Sequence, residues 1–273
     1  MLRLATNNGW WLVTHPDHAH LAGYFATKWG NALFASPQPR ANVLNGIYTH
    51  DNGWAVRDAE PVITKQGIPA AFSVELVGAY SAFEEIDLEA YLNVRRSAVQ
   101  LIAQQDPYAA ILISMHTHNL LSARADRSTI RPEQLPLLDT FLAEQVTLQQ
   151  TLQQQLLAEQ SIPTEHLTPE AFTDNFRLLQ ACDNLSLLSC VDYAGEATLL
   201  WPQRLNSGEA TEIKVTHTGE RTFRLSPYPF AEPHLTFNLR ARFIPTQTFA
   251  SHEDLQSHFN AATPEHLTIT LTA

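Results

Sequence analysis

His50 and Asp51 stand side by side in Gly46-Ile-Tyr-Thr-His-Asp-Asn-Gly-Trp54. A neutral imidazole next to a carboxylate suits a divalent or ferric ion of borderline hardness. Helical neighbours are ~100° apart, so both side chains can lean toward one ion. The pair has company. His18 lies upstream in Thr14-His-Pro-Asp-His-Ala-His-Leu-Ala-Gly23, and Asp183 lies far downstream in Gln180-Ala-Cys-Asp-Asn-Leu-Ser-Leu187.

The order His … His-Asp … Asp on a helical background resembles the HD-domain superfamily of metal-dependent phosphohydrolases. More closely, the chain resembles an uncharacterised bacterial family related to that superfamily. The likeness rests on the 14–23 segment, Thr49-His-Asp-Asn-Gly-Trp54, Ile113-Ser-Met-His116, Asp183-Asn-Leu-Ser-Leu-Leu-Ser-Cys190 and Ser226-Pro-Tyr-Pro-Phe230. The closer family brings no activity with it. The wider likeness implies a helical bundle whose His18, His50, Asp51 and Asp183 hold a metal that assists hydrolysis of a phosphoester. Imidazole ligands suit Mn, Fe or Zn, with one or two ions expected. Many HD-like phosphohydrolases carry a Lys two residues after the Asp, where it serves the phosphate. Here Gly53 holds that place and Trp54 follows, which points to a substrate with an apolar or planar part.

Each candidate has rivals. His15, His18 and His20 compete, and His18 and His20 differ by ~200° on a helix, so at most one of those two points inward. The apolar stripe Leu21, Phe25 and Trp29 favours His18. Asp183 sits among Phe176, Leu179, Leu185 and Leu187, where an unpaired carboxylate would cost several kcal/mol. A metal resolves that, and so would Arg177. His116 and His118 repeat the two-residue conflict. His116 ends the apolar run 111–115, so it is the one expected inside, as a second-metal ligand, a cation for the substrate or a satisfied core histidine. Asp51, His116 and Arg96 are the catalytic candidates. Trp54 and Arg95 are the substrate-binding ones, with Trp54 and the loop 54–69 lining the pocket mouth and Arg95 or Arg96 meeting the anion. His217, His234, His252 and His266 read as surface residues.

Composition sets limits. The 273 residues carry a formal charge of −11, with 44% hydrophobic and 16% charged residues. The low charged fraction favours a compact fold over disorder. No Lys/Arg cluster suggests nucleic acid, so the expected partner is a small anionic molecule, with neither nucleic acid nor membrane. The oligomeric state stays open, a homodimer included. The start lacks a signal-like apolar run. Cys182 and Cys190 would lie ~12 Å apart on one helix, too far for a disulfide. Reduced thiols fit the cytoplasm.

The elements that must position these residues are mostly helical. Asn7-Asn8-Gly9 between residues 2–6 and 10–13 predicts a hairpin. Pro16 opens a first helix ended by Gly30-Asn31. A second covers about 41–51, and Asn52-Gly53 stops it. An irregular loop leads to helical patterning over 74–80 and a longer helix over 88–105. The apolar stretch 108–116 fits a buried strand or a buried helix, and its helical surroundings make it a central helix. Further helices cover 132–159 and 169–190. After Val191 the pattern turns β-rich, with one short helix over 251–260 and a final strand over 267–272. The expected architecture is therefore mainly α: an HD-like helical bundle over 14–195, and a small β subdomain over 196–273 that the N-terminal hairpin joins. A hydrolase is the first reading. An HD-type di-iron oxygenase and a non-catalytic ligand-binding or sensory module are the alternatives.

Overall fold

The computed structural model describes residues 1–70 and 87–273. Strands β1 (Leu2–Thr6) and β2 (Gly9–Val13) form the N-terminal hairpin around a two-residue turn at Asn7 and Asn8. Gly9 itself begins β2, and a Cβ there would lie 2.2 Å from the carbonyl oxygen of Ile244. The glycine is therefore required by the strand alongside, not by the turn.

Helix starts follow their caps. Thr14 accepts from the Asp17 amide at 3.1 Å and opens α1 (His15–Lys28), with Pro16 in its first turn. Next come α2 (Arg40–Thr49), a 3-10 turn (Asn52–Trp54) and the short α3 (Ala55–Ala59). Asp87 caps α4 (Leu88–Ala103) through the Ala90 amide. Asp106 caps α5 (Pro107–Asn119) and also accepts from Asn42 and Asn45 at 3.0 and 2.9 Å, tying α2 to α5. Helix α6 covers Leu135–Glu159, and Thr168 caps α7 (Pro169–Cys190). The stretch 108–116 is thus helical, as its surroundings implied. The helical patterning over 74–80 lies outside the described residues.

The β part is larger than expected. Strands β3 (Glu196–Thr198), β4 (Gln203–Arg204), β5 (Ala210–Thr211), β6 (Lys214–Gly219), β7 (Thr222–Ser226) and β8 (His234–Pro245) precede α8 (His252–Ala261) and β9 (Pro264–Thr272). A curled seven-stranded sheet runs β1-β2-β8-β9-β7-β6-β3, with β4-β5 a separate pair. Neighbours in it are antiparallel except β7 and β9. This corrects the expectation of a mainly α bundle with a small β element: the fold is mixed α/β. The N-terminal hairpin enters this sheet through β2, whose residues 9–12 pair with 242–245 of β8.

Helices and sheet share apolar packing. Phe25 and Trp29 of α1, Ile47 of α2, Ile113 of α5 and Leu179 and Leu185 of α7 belong to one cluster with Phe223, Phe237 and Ile269 of the sheet. The rings of Phe25 and Phe237 meet edge to face, centroids 4.8 Å apart. Helix α1 therefore lies between the sheet and the helices α2 and α7, and its opposite faces carry different duties. Among the described residues no helix is long and apolar enough to cross a membrane.

Candidate metal centre

Helices α1, α2, α5 and α7 converge on one buried cluster. His18 comes from the start of α1, His50 caps the C-terminal end of α2, and Asp51 follows it at the head of the 52–54 turn. His116 comes from the last turn of α5 and Asp183 from the middle of α7. All five are at most 6 % exposed. The Nε2 atoms of His18 and His50 lie 3.0 and 3.4 Å from Oδ1 of Asp183, and 3.9 and 4.0 Å from Oδ2 of Asp51. Ligands held ~2.1 Å from one ion are ~3.0 to 3.4 Å apart in octahedral or tetrahedral geometry. The donor atoms are therefore already near the spacing an ion needs. Their types fit a borderline cation such as Mn, Fe or Zn.

The hydrogen bonds behind the imidazoles set their tautomers. Nδ1 of His50 donates to the Ile47 carbonyl at 2.7 Å. The Ser186 hydroxyl donates to the His18 carbonyl at 2.8 Å and so accepts from His18 Nδ1 at 2.7 Å. Each ring then turns its Nε2 toward the carboxylates. The Nε2 of His50 is buried with no hydrogen-bond partner among the described residues. Two lone pairs and two carboxylates facing one point require positive charge there, as protons on the rings or as a metal ion. Second partners of this kind orient ligating histidines in metal sites.

Electrostatics tell the same story. Burial would raise the Asp183 carboxyl, but the facing imidazoles of His18 and His50 outweigh it and hold it well below the usual range. Burial likewise opposes ionisation of Asp51, and Arg95, then His50, outweigh it, so its carboxyl is also lowered. Burial pulls the His50 imidazole down, while Asp51 and Asp183 leave it raised. Burial dominates at His116 and pushes it down to about 3, so this ring is neutral.

The other expected residues take different places. The Arg95 guanidinium, 4 % exposed, ion-pairs with Oδ1 of Asp51. It packs 5.3 Å from the ring centroids of both Trp54 and Tyr91. Its partner is thus a protein carboxylate where a substrate anion was expected. Arg96, one residue on, points outward to Glu144 at 2.9 Å and over Phe141, away from the cluster. Trp54 is 2 % exposed and stacks on His15 at 4.6 Å, so it forms core and not the wall of a mouth. A cleft of about 350 Å³ lies nearby, lined by Ala55, Asp58 and Ala59 with Thr14, Asp17 and Arg240, but it includes none of the five cluster residues. His20 is exposed against Tyr48, and His118 is half-buried near Ser122. His217 is a correction: it is half-buried and holds Asp192 at 2.9 Å.

Two participants escaped the sequence reading, and a third was named only as a rival to His18. Gln180 and Ser186 flank Asp183 at i−3 and i+3 on α7, within one ~120° arc, and that spacing was a usable signal. The side-chain nitrogen of Gln180 contacts His116 Nδ1. The third is His15, whose Nδ1 meets Asp58 Oδ2 at 2.9 Å, and the Met1 amino group lies 2.9 Å from Asp58 Oδ1. No local pattern announced that pair.

Gly53, two residues after Asp51, has no room for a side chain. A Cβ there would lie 2.5 Å from the Val94 carbonyl oxygen and 2.8 Å from the Ala98 Cβ. The turn 52–54 is pressed against α4, and that approach delivers Arg95 to Asp51.

Residues 1–246 match the model of one family, described as Protein of unknown function (DUF3891), and the chain belongs to that family. No curated protein and no solved structure matches it.

Proposed function

We propose that this DUF3891 chain is a metal-dependent hydrolase of the HD kind, acting on a small anionic phosphoester. The carrying observation is the pair of oriented imidazoles. Nδ1 of His18 is held by Ser186 and Nδ1 of His50 by the Ile47 carbonyl, and both Nε2 atoms face Asp183 Oδ1, 3.0 and 3.4 Å away. In this reading His18, His50, Asp51 and Asp183 hold one divalent ion. The motif order on helices and its resemblance to HD enzymes support the same choice. Such an ion supplies Lewis acidity, polarising a phosphoryl oxygen and acidifying water.

The chain's own residues do the rest. Arg95 holds one oxygen of Asp51 and leaves the other for the ion. Ser186 and the Ile47 carbonyl keep His18 and His50 in the ligating tautomer. Burial of the cluster keeps bulk water from competing. The test is a panel of phosphoesters, nucleotides and cyclic dinucleotides among them, given to metal-stripped protein with Mn²⁺, Fe²⁺, Zn²⁺ or Mg²⁺ restored singly. Turnover with Mn²⁺ or Fe²⁺ that Asp51→Ala abolishes is expected. Metal binding without turnover above that control would replace the hydrolase by a binding module.

A further inference from the structure

Three buried histidines ring the cluster, but their Nδ1 atoms face different partners. Those of His18 and His50 meet acceptors, the Ser186 hydroxyl oxygen and the Ile47 carbonyl. That of His116 meets the side-chain nitrogen of Gln180. An amide nitrogen only donates, so Nδ1 of His116 accepts and its proton sits on Nε2. The reversed amide would bury two N–H donors where Gln180 Oε1 now has no partner among the described residues. A lone carbonyl oxygen left unpaired is the milder defect.

We propose that Gln180 is a positioning residue that fixes His116 as an Nε2–H donor to an anionic oxygen of the substrate, and so keeps it from ligating metal. This rests on the metal reading above. The His116 and His50 rings meet edge to face at 5.2 Å, and ligand-capable atoms of His50, His116 and Asp183 lie within 4.8 Å of one another. The His116 ring therefore borders the point where the four ligands converge. A phosphoryl oxygen only accepts hydrogen bonds, so it matches an N–H and not a lone pair. A second ion, such as a di-iron site needs, would require the lone pair that Gln180 withholds. One ion per chain follows.

Long-range ¹H–¹⁵N NMR of metal-stripped protein reads the tautomer directly, with His116→Asn assigning the signal. The expected wild-type spectrum shows His116 protonated at Nε2 and bare at Nδ1. Gln180→Glu should reverse it, because a carboxylate accepts from Nδ1–H, and should raise zinc stoichiometry from one ion per chain to two. A wild-type His116 protonated at Nδ1, or two zinc ions in the wild type, overturns the assignment, whether or not Gln180→Glu folds. A wild type that binds no zinc overturns the metal reading, and with it the role given to His116.

Discussion

Arg95 meets Asp51 through Oδ1, while Oδ2 turns toward the Nε2 atoms of His18 and His50, 3.9 and 4.0 Å away. The guanidinium thus divides the carboxylate between a structural and a ligating duty. Arg95→Met should cost about 3–5 kcal/mol of stability, since it strands a buried charge. Metal affinity should also fall ~10–100-fold. Urea unfolding with and without Mn²⁺ measures both. A variant as stable as the wild type would show that Asp51 does not depend on Arg95.

Ser186→Ala isolates orientation from charge. It removes the acceptor of His18 Nδ1 without touching a proposed ligand. Metal affinity should fall ~10–100-fold with the circular dichroism spectrum unchanged. Unchanged affinity would deny Ser186 its part.

Gly53→Ala should destabilise by about 1–3 kcal/mol, the usual cost of forcing extra atoms into a packed contact. The Cβ would meet the Val94 carbonyl oxygen at 2.5 Å, with backbone on both sides. Gly53→Lys should fold worse and gain no phosphate affinity. A stable Gly53→Lys protein would contradict the close approach of the turn to α4.

The His15–Asp58 pair sets a pH signature. Burial disfavours the Asp58 carboxylate, but His15 and the Met1 amino group outweigh it and lower its value. A carboxyl lowered on folding stabilises fully above its unfolded pKa of ~3.9. That stability is lost as pH falls through the folded value. Burial keeps His15 below its ordinary value, so folding also weakens as pH drops below ~6.5 and the unfolded ring takes its proton. Asp58→Asn should lose roughly 3 kcal/mol at pH 7, and the gap to wild type should begin to narrow below about pH 4 and keep narrowing as pH falls toward the lowered folded value. A gap that stays the same size from pH 7 down to about pH 2 would contradict the ion pair.

Local signals located the helices. Pro16 opens α1 as expected, and the helices expected over 88–105, 132–159 and 169–190 appear as α4, α6 and α7. The sheet was underestimated because its pairings are remote: β2 joins β8 across some 230 residues of sequence, and β7 lies parallel to β9 beyond β8 and α8. Periodicity reports which face of a strand is buried, not which strand it meets. In the cluster, His18, His50, Asp51, Asp183 and His116 were legible by residue type and order, and all five converge. The partner of Arg95 was not, because tertiary packing of the turn 52–54 on α4 decides it. Trp54 was misread for a related reason: the turn 52–54 packs its side chain inward on His15 before the chain emerges in α3, where Val56 is exposed.

Metal analysis of protein purified without chelators tests the central claim most directly. Wild type should carry one equivalent of a transition ion, or take up one when Mn²⁺, Fe²⁺ or Zn²⁺ is added. Asp183→Asn should lose that ion while keeping its fold, because the lost oxygen is the one nearest both imidazoles. Wild type that takes up no ion, or Asp183→Asn that binds as tightly as wild type, would contradict it and leave proton-bridged histidines as the content of the cluster.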